Sequence, residues 1–348
     1  MVTNLTAEAR AKWAEATATK DPVKKLRLLQ EFYSIMPHHK GTEKLEVMVK
    51  RQMAALREEI KETKIRKKGA TRLDLWSVRK GEFPQIALLS DLNMAFKAFE
   101  YLTGLKPELY QLYKGPIVGP FKEGDVILEV FLTPYSPSML GKSLQEKIMR
   151  IIRQVDLLLI IAKSDVIEDF NRYAENFNLE IVEERSKISV KATESGGIRI
   201  IGSSEFLDNS LIVRMLQNFR IFNAIVEVGK NATLDDLEAV IFGRTFKNAI
   251  IIDPSDRAPS SKNWRKELMN ILLRKMGLIK VYTKSPGGDV GKRPLLVKHG
   301  YTTIEIARLI HKDLAKFFKY AKIYRNNKVI KVGKEFELKD GDVVEIYT

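Results

Sequence analysis

Along the first sixty residues apolar positions recur at helical spacing, so that 5–63 reads as a set of helices. Asp21-Pro22 predicts a helix start, with the aspartate as N-cap and proline at the first helical position, where its missing N–H costs nothing. After a break at Pro37-His38-His39-Lys40-Gly41, Thr42 is placed to cap a further helix. There Leu45, Val49, Met53, Leu56 and Ile60 share one face, and Lys50, Arg57, Lys61 and Lys64 another. The basic run Lys64-Ile65-Arg66-Lys67-Lys68-Gly69 closes this segment as a linker.

From about residue 83 short apolar runs alternate with helical stretches. Strands are expected at 86–89, 126–132, 157–161 and 249–252, with helical segments reaching Leu102, running through Ile151-Ile152, and lying near 233–241. The run 157–161 is wholly apolar, as a central parallel strand covered on both faces would be. This alternation predicts a doubly wound α/β sheet. Residues 165–230 are more mixed, with Gly196-Gly197 in a hairpin-like context, and read as an insertion. At the C-terminal end, 279–283 and 295–298 form a hairpin around Ser285-Pro286-Gly287-Gly288. A helix over 303–319 follows, then strands at 321–324, 328–331 and 343–347, which is the order of a β-grasp fold. On that helix Arg308, Lys312, Lys316 and Lys319 fall in a single basic stripe, with only Glu305 and Asp313 nearby. A solvated face is the ordinary reading of such a stripe; phosphate contact is the functional one.

Charge sharpens this picture. The net charge is +15, from 59 basic and 44 acidic residues. Residues 1–70 hold 16 basic against 9 acidic, 279–348 hold 15 against 8, and 71–278 hold 28 against 27. A neutral middle with two basic ends suggests a polyanion gripped at two places, nucleic acid before membrane. No cysteine is present, which excludes disulfides, thiolate metal sites and cysteine nucleophiles. Four histidines leave little for zinc chemistry, and His38-His39 reads as a loop pair. No run approaches the roughly 20 apolar residues of a membrane span, and the start lacks the apolar core of a signal peptide, so a cytoplasmic protein is expected. The lack of cysteine with many Lys, Glu and Ile points to a thermophilic archaeal source.

Several segments resemble one family. Lys280-Val281-Tyr282-Thr283-Lys284, Ile310-His311-Lys312, Phe318-Lys319-Tyr320-Ala321, Val332-Gly333-Lys334 and Asp340-Gly341-Asp342-Val343-Val344 resemble the TGS domain of DRG GTPases. Asn218-Phe219-Arg220-Ile221-Phe222-Asn223-Ala224 and Ala232-Thr233-Leu234-Asp235-Asp236-Leu237 are similar to the stretch before the family's guanine-specificity motif. Ser195-Gly196-Gly197-Ile198, His39-Lys40-Gly41-Thr42-Glu43 and Leu56-Arg57-Glu58-Glu59-Ile60 match as well, in family order. The resemblance to Obg/DRG-type GTPases implies a multi-domain α/β chain. Its parts are an N-terminal helical domain at 1–68, a degenerate GTPase-like doubly wound sheet at 69–164 and 245–278, an inserted α+β subdomain at 165–244, and a TGS β-grasp domain at 279–348.

The family's nucleotide motifs can be checked one by one. A P-loop needs glycines so that backbone N–H groups can wrap phosphates, a lysine for the β/γ-phosphates and a Ser/Thr for magnesium. The expected place reads Leu89-Ser90-Asp91-Leu92-Asn93-Met94-Ala95-Phe96-Lys97, without glycine and with Asp91 where phosphate would lie. No threonine or serine stands between Thr103 and Thr133 to serve as the switch ligand. Thr133-Pro134-Tyr135-Ser136 replaces DxxG, and Asp253-Pro254-Ser255-Asp256 replaces NKxD. Gly141-Lys142-Ser143 is superficially P-loop-like, but Ser136 stands where its first glycine is needed, and Pro134 and Pro137 lack N–H donors. The expectation is therefore a chain that is not an enzyme and holds no cofactor or metal, with Asp91, Asn93, Lys97, Thr133, Asp253 and Asp256 as a vestigial nucleotide site.

The resemblance implies the ribosome and its RNA as partner. Expected RNA contacts are Lys64, Arg66, Lys67, Lys68 and Arg72 at one end and Arg308, Lys312, Lys316, Lys319, Lys322 and Arg325 at the other. Tyr320 or Tyr324 could stack on a base, with core packing the competing reading for Tyr320. Two alternatives stay open. One is a protein adaptor docking a partner at the N-terminal helices or the GTPase-like body. The other is a GTP-binding protein with a non-standard site using Lys97, Lys142 and Asp256.

Overall fold

Capping side chains and apolar runs set the element boundaries in the computed structural model, which describes residues 5–19, 21–39, 42–66, 76, 78, 81, 83–183, 188–254, 263–326 and 328–348, with the side chains of 44, 58, 59 and 61–66 outside that description. The N-terminal stretch holds α1 (Ala7–Ala18), α2 (Pro22–Ile35) and α3 (Glu43–Arg66). Next come β1 (Gln85–Leu89), α4 (Leu92–Thr103), α5 (Leu109–Lys114), β2 (Val118–Glu123), β3 (Val126–Leu132), α6 (Pro137–Leu140), α7 (Lys142–Gln154) and β4 (Leu157–Ile161). The insertion follows as α8 (Ser164–Glu175), β5 (Leu179–Val182), β6 (Ile188–Ala192), β7 (Ile198–Gly202), α9 (Asn209–Asn218), β8 (Ala224–Val228) and α10 (Leu234–Ile241). β9 (Thr245–Ile252) and α11 (Trp264–Met276) precede the last segment. That segment is β10 (Leu278–Lys284), β11 (Leu295–Lys298), α12 (Thr303–Ile310), α13 (Lys312–Lys316), β12 (Tyr320–Arg325), β13 (Lys328–Val332) and β14 (Val343–Tyr347).

The chain divides into two compact units, 1–75 with 168–248, and 76–167 with 249–348. In the first, Asp21 caps α2 by accepting from the Val23 N–H at 3.1 Å, with Pro22 at the first helical position as the sequence predicts. Thr42 behaves differently from expectation: its hydroxyl donates to the carbonyls of Pro37 (2.7 Å) and His39 (2.9 Å), closing the loop before α3. Trp13 of α1 is buried against Phe32 of α2 (5.1 Å between ring centroids) and Phe242 beyond α10 (5.0 Å), and its indole N–H donates to the Ile241 carbonyl at 3.1 Å. Phe219 meets Phe242 edge-on, and the Gln52 amide donates to the Phe242 carbonyl. One apolar core thus joins the N-terminal helices to the strands β6, β8 and β7, in which β8 runs antiparallel to β6 and parallel to β7. Residues expected as two segments, 1–68 and 165–244, are grouped around that core, which also takes in Phe246. β5 pairs in parallel with residues 245–248 of β9.

In the second unit β1 lies between β3 and β4, parallel to both, and β4 pairs in parallel with residues 249–252 of β9. β2 is antiparallel to β3. It runs so close beneath α4 that a Cβ at Gly119 would sit 2.9 Å from Phe99 and Thr103, so only glycine fits. β1 and β4 are buried along their whole length. The C-terminal strands form a mixed five-stranded sheet in the order β11-β10-β14-β12-β13, its inner face packed on α12 around Val281, Ile306, Ile323 and Val344. The α/β body with a helical N-terminal part and a β-grasp C-terminal domain agrees with the expected fold class. No helix of the described residues is long and apolar enough to cross a membrane.

Candidate functional site

At the end of β1 the chain has only Ser90 and Asp91 before α4 begins. Ser90 is fully buried and its hydroxyl donates to the Ile161 carbonyl at the end of β4. Asp91 is the N-cap of α4, its Oδ1 accepting from the Met94 N–H at 3.0 Å. A helix N-terminus offers free N–H groups and a positive dipole end to an anion; here the chain's own carboxylate takes one of these donors. Asn93 and Lys97 are exposed on the same helix. Thr133 is fully buried, and both its N–H (3.0 Å) and its hydroxyl (2.8 Å) donate to the Leu88 carbonyl, which commits the hydroxyl to the sheet end. Asp253, half-buried at the end of β9, lines a cleft of about 230 Å³ with Trp264, Glu267, Leu268 and Ile271. Asp256 lies outside the described residues.

Gly141 has φ 73° and separates α6 from α7, so the Gly141-Lys142-Ser143 stretch is a helix–helix junction, with Lys142 exposed at the first turn of α7. Among the described residues no group of three or more His, Asp or Glu could hold a metal ion.

The basic C-terminal residues are distributed differently from expectation. The single helix over 303–319 does not form: α12 ends at Ile310, His311 is extended (φ −160°, ψ 139°), and a short α13 begins at Lys312. The His311 ring nitrogen accepts from the Asp313 N–H at 3.2 Å, so this side chain restarts the helix as its N-cap. Arg308 and Lys312 therefore belong to different helices, and Lys319 lies beyond both, its N–H donating to the Tyr347 carbonyl. All four of Arg308, Lys312, Lys316 and Lys319 remain exposed, beside exposed Leu309, Ile310 and Phe317, the last with 58% of its surface accessible.

Arg325 is committed within the fold. Its guanidinium makes a two-pronged ion pair with Asp342 (2.7 and 2.6 Å), whose side chain is fully buried, and it also covers the Phe336 ring. Lys322 donates to the Tyr347 hydroxyl at 3.0 Å, a contact that raises its pKa above the ordinary lysine value. Tyr320 is not in the core. It stands half-exposed on the outer face of the sheet, stacked on Tyr347 with 4.6 Å between ring centroids and 11° between planes. Tyr324, on the same face, donates to Glu345 Oε2 at 2.5 Å, which raises its pKa. Glu345, Tyr347 and Lys331 escaped the sequence reading. The period-two alternation of Tyr320, Lys322 and Tyr324 with apolar Ala321 and Ile323 was the signal that put this set on the outer face. Lys64 and Arg66 fall on the last turns of α3 with side chains outside the description, and Lys67, Lys68 and Arg72 lie outside the described residues altogether.

Comparison with known proteins adds family. Residues 279–348 match the TGS domain family. The chain is 22% identical over 240 residues to an uncharacterised GTP-binding protein of Methanocaldococcus jannaschii, a match covering 59% of this chain and 61% of that protein. It is 26% identical over 240 residues to developmentally-regulated GTP-binding protein 1 of Xenopus laevis, covering 59% of this chain and 65% of that one. The chain thus spans about three fifths of the length of these curated relatives. Among solved structures, a GTP binding protein from Pyrococcus horikoshii aligns at TM-score 0.38 and 12% identity, over 76% of this chain and 99% of that one. The YchF GTPase of Schizosaccharomyces pombe aligns at TM-score 0.40 and 12% identity, over 77% and 99%.

The sequence relatives correct one expectation. The chain was expected not to be an enzyme, on the strength of four altered motifs, yet the proteins it matches over 59% of its length are GTP-binding proteins by name. Altered motifs describe those positions and do not show that the chain lacks activity. The matched C-terminal domain and the similarity across the preceding segments make the chain a relative of the DRG/Obg-type GTPases, carrying a TGS domain at residues 279–348.

Proposed function

We propose that this chain is a cytoplasmic, translation-associated member of its family that binds RNA, and through it the ribosome, by cationic surfaces of the TGS domain. The observation carrying this reading is the exposed group Arg308, Lys312, Lys316 and Lys319 around exposed Phe317. Phosphate oxygens release condensed counterions when cations replace them, and the exposed Phe317 ring, with the Lys316 ammonium 5.3 Å from its centroid, offers a surface on which an unstacked base can pack. Lys64, Arg66, Lys67, Lys68 and Arg72 are proposed as the second contact, on the basis of sequence charge alone. The test is sedimentation of lysate through sucrose gradients at low and high salt. Co-migration with ribosomal particles, lost as salt rises and weakened by the combined changes Arg308→Glu, Lys312→Glu and Lys316→Glu, is the expected result. A protein that stays at the top of the gradient at low salt would end the ribosome reading.

The relatives' names favour a second reading beside the first: GTP binding at a non-standard site using Lys97, Lys142 and Asp256. Calorimetric titration with GTP and magnesium, repeated on Lys97→Ala and Lys142→Ala, decides it. Heat that is unchanged in both variants, or absent from the parent, would remove these lysines from the account.

A further inference from the structure

The outer face of the TGS sheet changes character from one side to the other. On β10 and β11, Leu278 and Leu296 pack against the core beneath α11, and Lys298 donates to the Met276 carbonyl at 3.0 Å. Tyr282, also on β10, donates to Asp125 at 2.5 Å. This side is covered by the body of the same unit. On β14, β12 and β13 the leucines give way to tyrosines and lysines. Lys284, Glu345, Lys322 and Lys331 are cross-strand partners in one row over four strands, and Tyr347 and Tyr320 are direct partners in another. Glu345 is nearly fully buried and accepts from the hydroxyls of Tyr324 (2.5 Å) and Tyr347 (2.9 Å), which fixes those two rings. Each tyrosine carries an ammonium over its face: Lys331 over Tyr320 at 4.0 Å, Lys322 over Tyr347 at 4.8 Å and Lys284 over Tyr324 at 4.9 Å.

We infer that this uncovered Tyr/Lys face is a binding platform for single-stranded RNA, distinct from the helix-side cations; the inference rests on the RNA reading above. Three lysines surround one buried carboxylate, so the row keeps an excess of positive charge for a phosphate backbone. Lys331 is exposed and its contact with Tyr320 is a cation–π contact at a wet site, weaker than base stacking. A base takes the outer face of Tyr320, and the displaced Lys331 ammonium turns to the adjoining phosphate. The pre-stacked Tyr320–Tyr347 pair continues the stack on the inner side. A duplex keeps its bases paired and stacked within itself and cannot present a base face to Tyr320, so the platform selects unpaired strands.

The test uses the full chain and fluorescein-labelled oligo(U) and oligo(A) of about ten nucleotides, a length within the site sizes of single-strand binders, against an RNA duplex of equal length, read by fluorescence anisotropy across a salt series. The expected outcome is tighter binding of the single strands than of the duplex. Tyr320→Ala should lose about tenfold in single-strand affinity with an unchanged salt slope, since stacking carries no counterion term. Tyr320→Phe should bind as the parent does, and Lys331→Gln should reduce the slope by about 0.7, the value of one phosphate contact on a single strand. Lys331→Gln alters only an exposed side chain, so it decides the matter even where Tyr320→Ala unfolds the sheet. A duplex that binds as tightly as the single strands, or competition by polyglutamate at the same charge concentration, would overturn the inference. So would a Lys331→Gln protein with the parent's slope. If RNA binding persists in these cases and is lost only with Arg308→Glu, Lys312→Glu and Lys316→Glu, the platform falls while the RNA reading stands. Absence of binding to any RNA and to ribosomes ends both.

Discussion

Arg325 separates two accounts of the basic C-terminal domain, because charge alone made it an RNA contact and the fold makes it a partner of Asp342. Replacing Arg325 with alanine takes the ion partner from a carboxylate that is fully buried in the parent and leaves it the Lys339 N–H at 2.8 Å. Removing one member of a buried ion pair costs about 3–5 kcal/mol. The surviving backbone donor and the partial exposure of the guanidinium place this case at the lower end, about 3 kcal/mol. Loss of the cover over Phe336 acts in the same direction. The assay is urea unfolding of the parent, Arg325→Ala, Asp342→Asn and the double variant, followed by far-ultraviolet circular dichroism. Each single change is expected to lower stability by a few kcal/mol, and the double variant by less than their sum, since the second change removes a group already stranded. RNA affinity measured well below the unfolding midpoint should hardly move. An Arg325→Ala protein as stable as the parent but impaired in RNA binding would refute the structural role and restore the reading from charge.

Three further outcomes are expected. Trp13→Ala removes a buried indole and strands the Ile241 carbonyl, costing about 3–5 kcal/mol; hydrogen exchange should speed up in Ala224–Val228 as well as in α1, and loss of protection confined to the helices would contradict a shared core. Asp91→Ala should cost about 1 kcal/mol as a lost N-cap, read from the thermal midpoint, with Asp91→Asn nearly neutral; equal losses in both would argue against capping as the role of the carboxylate. The hydrogen bond to Asp125 and burial push the Tyr282 phenol up to about 12. A folded pKa above the unfolded value means this contribution is complete below about pH 10 and fades as pH rises toward 12. Tyrosinate absorbance should titrate late through both Tyr282 and Tyr324, and Tyr282→Phe should remove one of these late contributions; an identical titration curve in the variant would dismiss it.

The central strands were legible because β1 and β4 are apolar at every position, a pattern that a strand covered on both faces imposes and a surface helix does not. The β-grasp order was equally visible from turn residues and alternation. The helix break at His311 was not, since Ile304, Ala307, Leu314 and Ala315 keep helical spacing straight through it and only the capping geometry shows the stop. Which residues Trp13 would meet was also hidden. A hydrophobic stripe states that a partner exists and carries no information about the end of a helix more than two hundred residues further on. For the site, residue types revealed what the nucleotide loops lack, while the pairing of Arg325 and the outward stance of Tyr320 needed the register of β12 against β14.

The bond from Trp13 to the Ile241 carbonyl spans 228 positions in the chain. A nascent polypeptide leaves the ribosome from its N-terminus, so α1–α3 emerge long before Phe242 and Phe246 exist. At about 5–20 residues per second, the delay between the end of α3 and the end of that core is on the order of ten to forty seconds. Throughout that time the apolar sides of three helices lack the neighbours that residues 188–246 supply, and have only the contacts among themselves, such as Trp13 with Phe32. They must be held by a chaperone, by each other, or by transient contacts later exchanged, and any slowing of translation between residues 66 and 246 lengthens the exposure.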